Sequence, residues 1–240
     1  MQQSVEVADQ LVHGETGIHV AIAHLIQNVR AGVDVYPGAI WALTTAAALK
    51  LPAVDYASIM LVGQGTVVRT LASTDGYPRY LNKLQQRYWE GPGLDAACEH
   101  QARRVDDLDG EKRWPNFSDE AAAITPIRSI LSVPLFSRHR SKTALNLYAV
   151  QPYAFGAEGE LIGLAFASDA EAVLEVCRRE KRYRKAVSNR ELIGQAKGIL
   201  MERLAIDPVT AFSVLAQLSK DCRQPVSAVA RGLVSKGSEG

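Results

Sequence analysis

The chain has few cysteines, and none of them form a close pair. Cys98, Cys177 and Cys222 make no CxxC motif, so the sequence indicates neither a zinc site nor a redox pair. With no secretory signal pattern at its start, this cysteine usage predicts a cytoplasmic protein. Cys98 is expected to be a small buried hydrophobe rather than the attachment point of a chromophore.

Signatures of catalysis and of membrane insertion are also missing. The sequence has no phosphate-binding glycine loop, nucleophile elbow or metalloprotease helix, and its histidines are scattered. We therefore predict a protein that is not an enzyme and holds no metal or cofactor. The apolar spacing at residues 18–29 predicts an amphipathic helix, which is shorter than the roughly 20 residues that span a bilayer. The acidic cluster at 106–111 interleaves with basic residues, which predicts an ion-paired loop rather than a cation site.

What the chain does have is an ordinary globular composition. It has 240 residues, of which 47% are apolar and 22% charged, with a formal net charge of +1. This length and composition predict one medium domain and one small domain. We divide the chain into an N-terminal helix or tail (1–34), a first domain (35–170) and a second domain with its connector helix (171–236).

Short apolar runs with turn residues between them characterise the first domain. The runs 56–62 and 67–72 flank a Gly-rich turn and predict a β-hairpin, and the runs 129–136 and 143–150 predict two further strands. Helices are expected over 36–51, over 77–89 and after Gly93. The pattern predicts an α+β fold in which helices flank an antiparallel sheet.

A long connector helix is predicted to follow the sheet. Residues 158–185 contain no proline, and one series of positions alternates between three- and four-residue steps. The series is Ile162, Ala165, Asp169, Ala172, Val176, Arg179, Tyr183 and Ala186. It fits a parallel coiled-coil dimer, and it also fits a helix that packs on its own domain.

Residues 190–203, RELIGQAKGILMER, separate into two faces at helical spacing. The face predicted to be buried comprises Ile193, Ala196, Ile199, Leu200 and Leu204. The other face carries Arg190, Gly194, Lys197 and Met201. Glycine inside a helix costs about 1 kcal/mol relative to alanine, so Gly194 and Gly198 indicate close approach by a neighbouring helix or by a ligand.

Two more short helices complete a small all-α domain. Asp207-Pro208 predicts an N-cap followed by proline at the first helical position, and Pro225 can open a third helix in the same way. Positive charge concentrates before and within this domain, which favours contacts with phosphates. The cations of this stretch are Arg178, Arg179, Lys181, Arg182, Arg184, Lys185, Arg190, Lys197 and Arg203, opposed by Glu180, Glu191 and Glu202.

The run SNRELIGQAKGILMER, the DPVTAF turn and the PVSAVA helix together resemble an ANTAR domain, the antitermination module of bacterial transcription regulators. The resemblance covers residues 172–235. It implies binding to paired RNA hairpins with hexanucleotide loops, which prevents a terminator from forming. The motif positions that it implies are Arg190, Ala196, Lys197, Gly198 and Met201. We add Gly194 and Arg203 as RNA-binding residues. Tyr183 and Phe212 are the only aromatics of this region, so we expect Arg planes and backbone approach to dominate recognition.

The first domain resembles a GAF domain of the kind found before ANTAR modules. The segments that carry the resemblance are EGPGLDAACEH, IRSILSVPL and ALNLYA. GAF domains are six-stranded sheets with helices that serve as small-molecule sensors and dimerisation units. Many relatives have cysteine at the position of Gly93, so thiol chemistry is not expected at that loop.

These observations predict a dimeric, RNA-binding antitermination regulator under the control of a GAF-like sensor, which would take a small-molecule ligand. The alternative is a metabolite-binding GAF protein whose C-terminal helices serve only dimerisation or protein docking. DNA binding through the last two helices is disfavoured, because they carry few cations besides Lys220, Arg223 and Arg231.

Overall fold

A computed structural model describes residues 35–135 and 142–237. The amphipathic helix predicted within residues 1–34 lies outside the described residues, and so does most of the segment 137–142 between the last two predicted strands. The chain divides into two compact units between Arg178 and Arg179. The boundary expected after residue 170 therefore falls inside the last helix of the first unit.

Helices and strands of the first unit follow the order expected from the sequence, with two additional short elements. The elements are α1 (Val35–Lys50), β1 (Tyr56–Val62), β2 (Val68–Ser73), α2 (Gly76–Tyr88), α3 (Pro92–Glu99), β3 (Arg103–Val105), α4 (Pro115–Ile124), β4 (Ser129–Leu135) and β5 (Lys142–Ala149). Helix α5 (Ala157–Leu204) then continues into the second unit, which also contains α6 (Pro208–Asp221) and α7 (Val226–Gly237).

The strands form one antiparallel sheet in the order β2-β1-β5-β4-β3. The central strand β5 pairs Asn146 with Ser58 of β1 on one side and with Ser132 of β4 on the other. The predicted α+β class, with its antiparallel sheet and flanking helices, is confirmed. The GAF resemblance implied six strands, whereas the described residues contain five.

Both faces of the sheet are covered, which explains why β5 is buried along nearly its whole length. On one face, Leu145 and Leu147 of β5 pack in a core with side chains of α1 and of the first part of α5. On the other face, Tyr148 packs with α2 and α4 in a second cluster. Among the described residues, no helix combines the length and apolar character of a membrane span.

Hydrogen bonds and one glycine turn determine where the helices on the second face begin. The Asp75 side chain caps α2 by accepting from the Tyr77 backbone N–H at 3.1 Å. Helix α3 begins after Gly91, which has a φ of 136°, a conformation that L side chains rarely adopt. The Trp114 indole N–H donates to the Asp95 carboxylate at 3.0 Å and so links the start of α4 to α3.

The second unit is a small helical domain with a core of small and branched residues. Ala196 and Leu200 of α5 pack with Ala211 and Leu215 of α6 and Ala230 of α7. Asp207 caps α6 with Pro208 at its start, and α7 follows Pro225. Both helix starts predicted from the sequence are confirmed.

Gly93 generates the first prediction, because it packs closely against the sheet. A methyl group on Gly93 would lie 2.5 Å from Asn146 Oδ1 and 2.8 Å from Met60 Sδ. Gly93→Ala should therefore lower the free energy of unfolding by about 1–3 kcal/mol, measured by urea denaturation. Gly76→Ala is the matched control, since nothing lies within 4 Å of that position. Equal stabilities of the two variants would contradict the packing described.

Candidate nucleic-acid interface

The C-terminal part of α5 has one face in the core of the second unit. Ala196 is 0% exposed, Leu200 is buried, and Ile193 packs against the same cluster. These three residues follow the three- and four-residue steps of a helix whose one face is buried. Leu204 was expected on this face but is 54% exposed. It is the last residue of α5, and Ala205 after it has a φ of 54°, so the chain turns away there.

The opposite face of the helix carries most of the residues predicted to bind RNA. Arg190, Gly194 and Gly198 recur at four-residue steps, and all three are exposed. Arg203 is exposed as well, and Lys197 is half-buried at the edge of this face. We call the surface formed by Arg190, Gly194, Lys197 and Gly198 the glycine face.

Two of the predicted residues belong to the core side instead. Ala196 has no exposed surface, so we no longer expect its side chain to contact RNA. Its small side chain allows α6 and α7 to pack closely on α5. Met201 is half-buried and packs against the same cluster. The motif pattern alone did not separate these core residues from the exposed ones.

The glycine face is open. A methyl group on Gly194 or on Gly198 would meet no atom within 4 Å. One possibility was that these glycines allow a neighbouring helix to pack closely. No helix of the described chain packs against them. Each glycine still costs about 1 kcal/mol of helix stability relative to alanine, and no packing contact offsets that cost.

Basic residues precede and flank this face. Between residues 179 and 190 the exposed cations include Lys181, Arg182, Lys185 and Arg190. Arg184 is bound to Glu180 one turn away, with 2.8 Å between Nε and Oε1. Such a helix surface attracts a polyanion, and the attraction weakens as salt screens the charges.

Two aromatic side chains of this domain are exposed, although we expected Arg planes and backbone approach to dominate RNA recognition. Tyr183 is 68% exposed and Phe212 is 46% exposed. Tyr183 lies two helical turns before Arg190, so the helical period places it on the same face. The position of Tyr183 could have been inferred from that spacing. Phe212 follows the buried Ala211 on α6, and its exposure depends on how the three helices pack.

Outside this domain, the groups that the sequence singled out have structural partners. The acidic loop is ion-paired: Arg128 bridges Asp107 and Asp109 at 2.8 Å each, and Arg104 binds Asp106. Cys98 is half-buried and packs beside the cluster that contains Met60. The described residues bring no three metal-ligating side chains together.

Residues 181–234 match the ANTAR domain. The second unit is therefore an ANTAR domain, as its sequence resemblance predicted, and it follows an α+β unit with a five-stranded antiparallel sheet. No curated protein matches the chain.

Solved structures similar to the chain include two GAF domains and one enzyme. The GAF domain of an Acinetobacter phosphoenolpyruvate-protein phosphotransferase is 16% identical, with 70% of this chain and 97% of that chain covered and a TM-score of 0.47. The corresponding domain from Coxiella burnetii is 15% identical, with 68% and 95% covered and a TM-score of 0.48. The type II free methionine-R-sulfoxide reductase of Thermoplasma acidophilum is 12% identical, with 58% and 92% covered and a TM-score of 0.45. Likenesses of this size say nothing about what this chain binds.

The α6 cap generates the second prediction. Hydrogen bonds from the Thr210 hydroxyl and from the Thr210 and Val209 backbone N–H groups lower the pKa of Asp207 below its ordinary value of 3.8. A lowered pKa means that the cap stabilises α6 above that value and that this stabilisation is lost as the pH falls through the folded pKa. Asp207→Ala at neutral pH should also remove the stabilisation that the cap gives to α6. It should therefore reduce the hydrogen-exchange protection of Val209 and Thr210.

Asp221→Ala is the control for this experiment, because Asp221 lies at the other end of α6 and accepts only from Gln217 among the hydrogen bonds described. It should leave the protection of Val209 and Thr210 unchanged. Equal protection in the wild-type chain and in Asp207→Ala would show that the cap does not hold the start of α6.

Proposed function

We propose that the chain is a transcription antitermination regulator whose ANTAR domain binds paired hairpin loops in nascent RNA under the control of the GAF-like unit. One observation carries the proposal: α5 presents two open glycines, Gly194 and Gly198, beside Arg190 and Lys197 on the surface of the ANTAR domain. Because its target is a nascent transcript, the protein acts in the cytoplasm. It is a regulator rather than an enzyme.

The open glycines favour a partner from outside the chain. Their cost to the helix is offset if something approaches the backbone more closely than a side chain would allow. An unpaired loop base can do so, because loop bases are free to splay out and present their edges. A duplex is less suited to this surface, since its bases are stacked and paired.

The charge distribution favours RNA over an uncharged partner. The whole chain has a formal charge of only +1, so the cations on α5 form a local excess rather than part of a basic protein. Arg190 lies about one helical turn before Gly194, and Lys197 lies between the two glycines in the sequence. Both cations are therefore close enough to the glycines to contact phosphates beside a bound base. Arg190 can also stack its planar guanidinium on a base.

Lys197 provides the third prediction. Lys197→Ala should weaken hairpin binding about five- to tenfold and reduce the slope of log K against log salt by about 1. Fluorescence anisotropy at several salt concentrations measures both quantities. Lys220→Ala removes an exposed cation of α6 and should leave both nearly unchanged. If Lys197→Ala changes only the assembly of the protein, the alternative of a metabolite-binding GAF protein with a docking tail is favoured.

The glycines provide the fourth prediction, in which stability and binding change in opposite directions. Gly194→Ala and Gly198→Ala should each stabilise the helix by about 0.5–1 kcal/mol, because the added methyl group meets nothing. Each should nevertheless weaken hairpin binding by about tenfold, or ~1.4 kcal/mol. Thermal unfolding and RNA titration of the same samples measure the two effects.

Gly232→Ala is the matched control for both glycines. Gly232 lies in α7, is exposed and has open space around it, so its substitution should stabilise the helix without affecting RNA. If Gly194→Ala and Gly198→Ala bind the hairpin as tightly as the wild-type chain, the glycine face is not the RNA contact.

We also propose that the chain forms a homodimer through α5. The series of positions from Ile162 to Ala186 predicted from the sequence is exposed along this helix, apart from the half-buried Ile162. Among them Val176 is 53% and Tyr183 is 68% exposed. Apolar side chains at this spacing are typical of a helix that pairs with a second helix of the same kind. A dimer would also supply one ANTAR domain for each hairpin of a pair.

Tyr183 provides the fifth prediction. Tyr183→Glu places a charge at the expected seam, so the dimer should dissociate at least about tenfold more readily, since an unpaired buried charge is costly. Sedimentation velocity measures the change. Tyr153→Glu substitutes another exposed tyrosine, one that is not on α5, and should sediment like the wild-type chain. A monomeric wild-type chain would refute the dimer.

A further inference from the structure

A row of polar side chains crosses the middle of the sheet in the first unit. The strand register places Asn146 of β5 between Ser58 of β1 and Ser132 of β4. All three residues are 0% exposed. Their face is the one covered by α2 and α3, because Asn82 of α2 bonds to Ser58 and Gly93 of α3 packs on Asn146. We call Ser58, Asn146 and Ser132 the polar row.

Hydrogen bonding within the polar row is long and incomplete. The Asn146 amide Nδ2 lies 3.4 Å from Asn82 Oδ1 and 3.5 Å from Ser58 Oγ, whereas N–H···O bonds are commonly about 2.9–3.0 Å. Asn146 Oδ1 and Ser132 Oγ have no hydrogen-bond partner among the described residues. Buried polar atoms are rarely left without a partner, and each such atom calls for a specific cause.

The side chains of the polar row itself are uncharged. The nearby Tyr148 phenol is fully buried, and burial raises its pKa, so it stays neutral and can donate or accept. Arg103 pairs in register with Ser132, but its guanidinium is bound to Glu99 and Gln101. Asp95 of α3 accepts from Trp114. The polar row therefore offers a charged molecule no counter-charge of its own, and burying an unpaired charge is costly.

We propose that the polar row binds a small uncharged molecule that donates an N–H or O–H group to Asn146 Oδ1 and exchanges a hydrogen bond with Ser132 Oγ. Primary amides and polyols have this chemistry. The ligand displaces the start of α3, since Gly93 now lies against Asn146. Helix α3 has no side-chain cap at that end. The inference rests on the proposed function, because it names what the sensor unit takes up.

Methionine methyl resonances of the full-length chain test the proposal directly. The chain has three methionines, Met1, Met60 and Met201. Met60 Sδ lies close to Gly93 and to the Gln85 amide, so its methyl group reports on the polar row. Met201 reports on the ANTAR domain in the same spectrum. Loss of the Met201 response to RNA would count against the proposed function, independently of what Met60 shows.

The probe is acetamide, which has N–H donors and no charge. Acetamide should shift the Met60 signal in a saturable way and leave Met201 unmoved. N,N-dimethylacetamide has the same carbonyl group without N–H donors, and acetate carries a charge, so neither should shift Met60. Ser132→Ala should weaken the acetamide response about fivefold, which is the effect of losing one hydrogen bond. Ser118→Ala is the matched control, because Ser118 Oγ is buried without a partner but lies outside the polar row.

An unmoved Met60 signal with acetamide would overturn the proposal and leave the polar row to ordered water alone. Equal shifts with all three compounds would overturn it as well, because they would show a general cosolvent effect. Equal responses of Ser132→Ala and Ser118→Ala would remove Ser132 from the site.

Discussion

The helical period of α5 decides which of its side chains are buried and which are exposed. Its 48 residues form one continuous helix, so the backbone hydrogen bonds determine which side chains share a face. Phe166, Val173 and Cys177 enter the core beside the sheet, and Ala196 and Leu200 enter the core of the ANTAR domain. Within the ANTAR domain, burial of Ala196 and Leu200 leaves Arg190 and the glycines on the exposed side of the helix.

The glycine face shows a conflict between stability and binding. The ANTAR domain has a small core, in which alanine contributes at three positions, and small cores leave little stability to spare. Two exposed glycines in its first helix reduce that stability further. Nothing in the described chain packs against them, and we propose that a molecule outside the chain does. Proteins commonly break a local rule where they bind a partner.

Local signals in the sequence were enough to predict most of the elements. Alternating apolar runs predicted β1, β2, β4 and β5, and Asp207 and the prolines predicted where α6 and α7 begin. The short strand β3 was not predicted, because three residues are too few to show a period. Helix α4 was also missed, although Pro115 after Trp114 is a signal for a helix start. The local motif could not show that Ala196 is buried, since its environment is made by α6 and α7. The polar row depends on strand register, which joins residues far apart in sequence.

Recognition of RNA loops by the ANTAR domain can be tested by one binding measurement. The purified full-length chain is titrated with an RNA that carries paired hexaloop hairpins, with the same RNA after its loops are scrambled, and with duplex DNA, at two salt concentrations. If the ANTAR domain recognises RNA loops, the chain should bind tightly to the first RNA only, and this binding should weaken as salt increases. Equal binding to all three nucleic acids would contradict it and reduce the basic helix to a general polyanion surface.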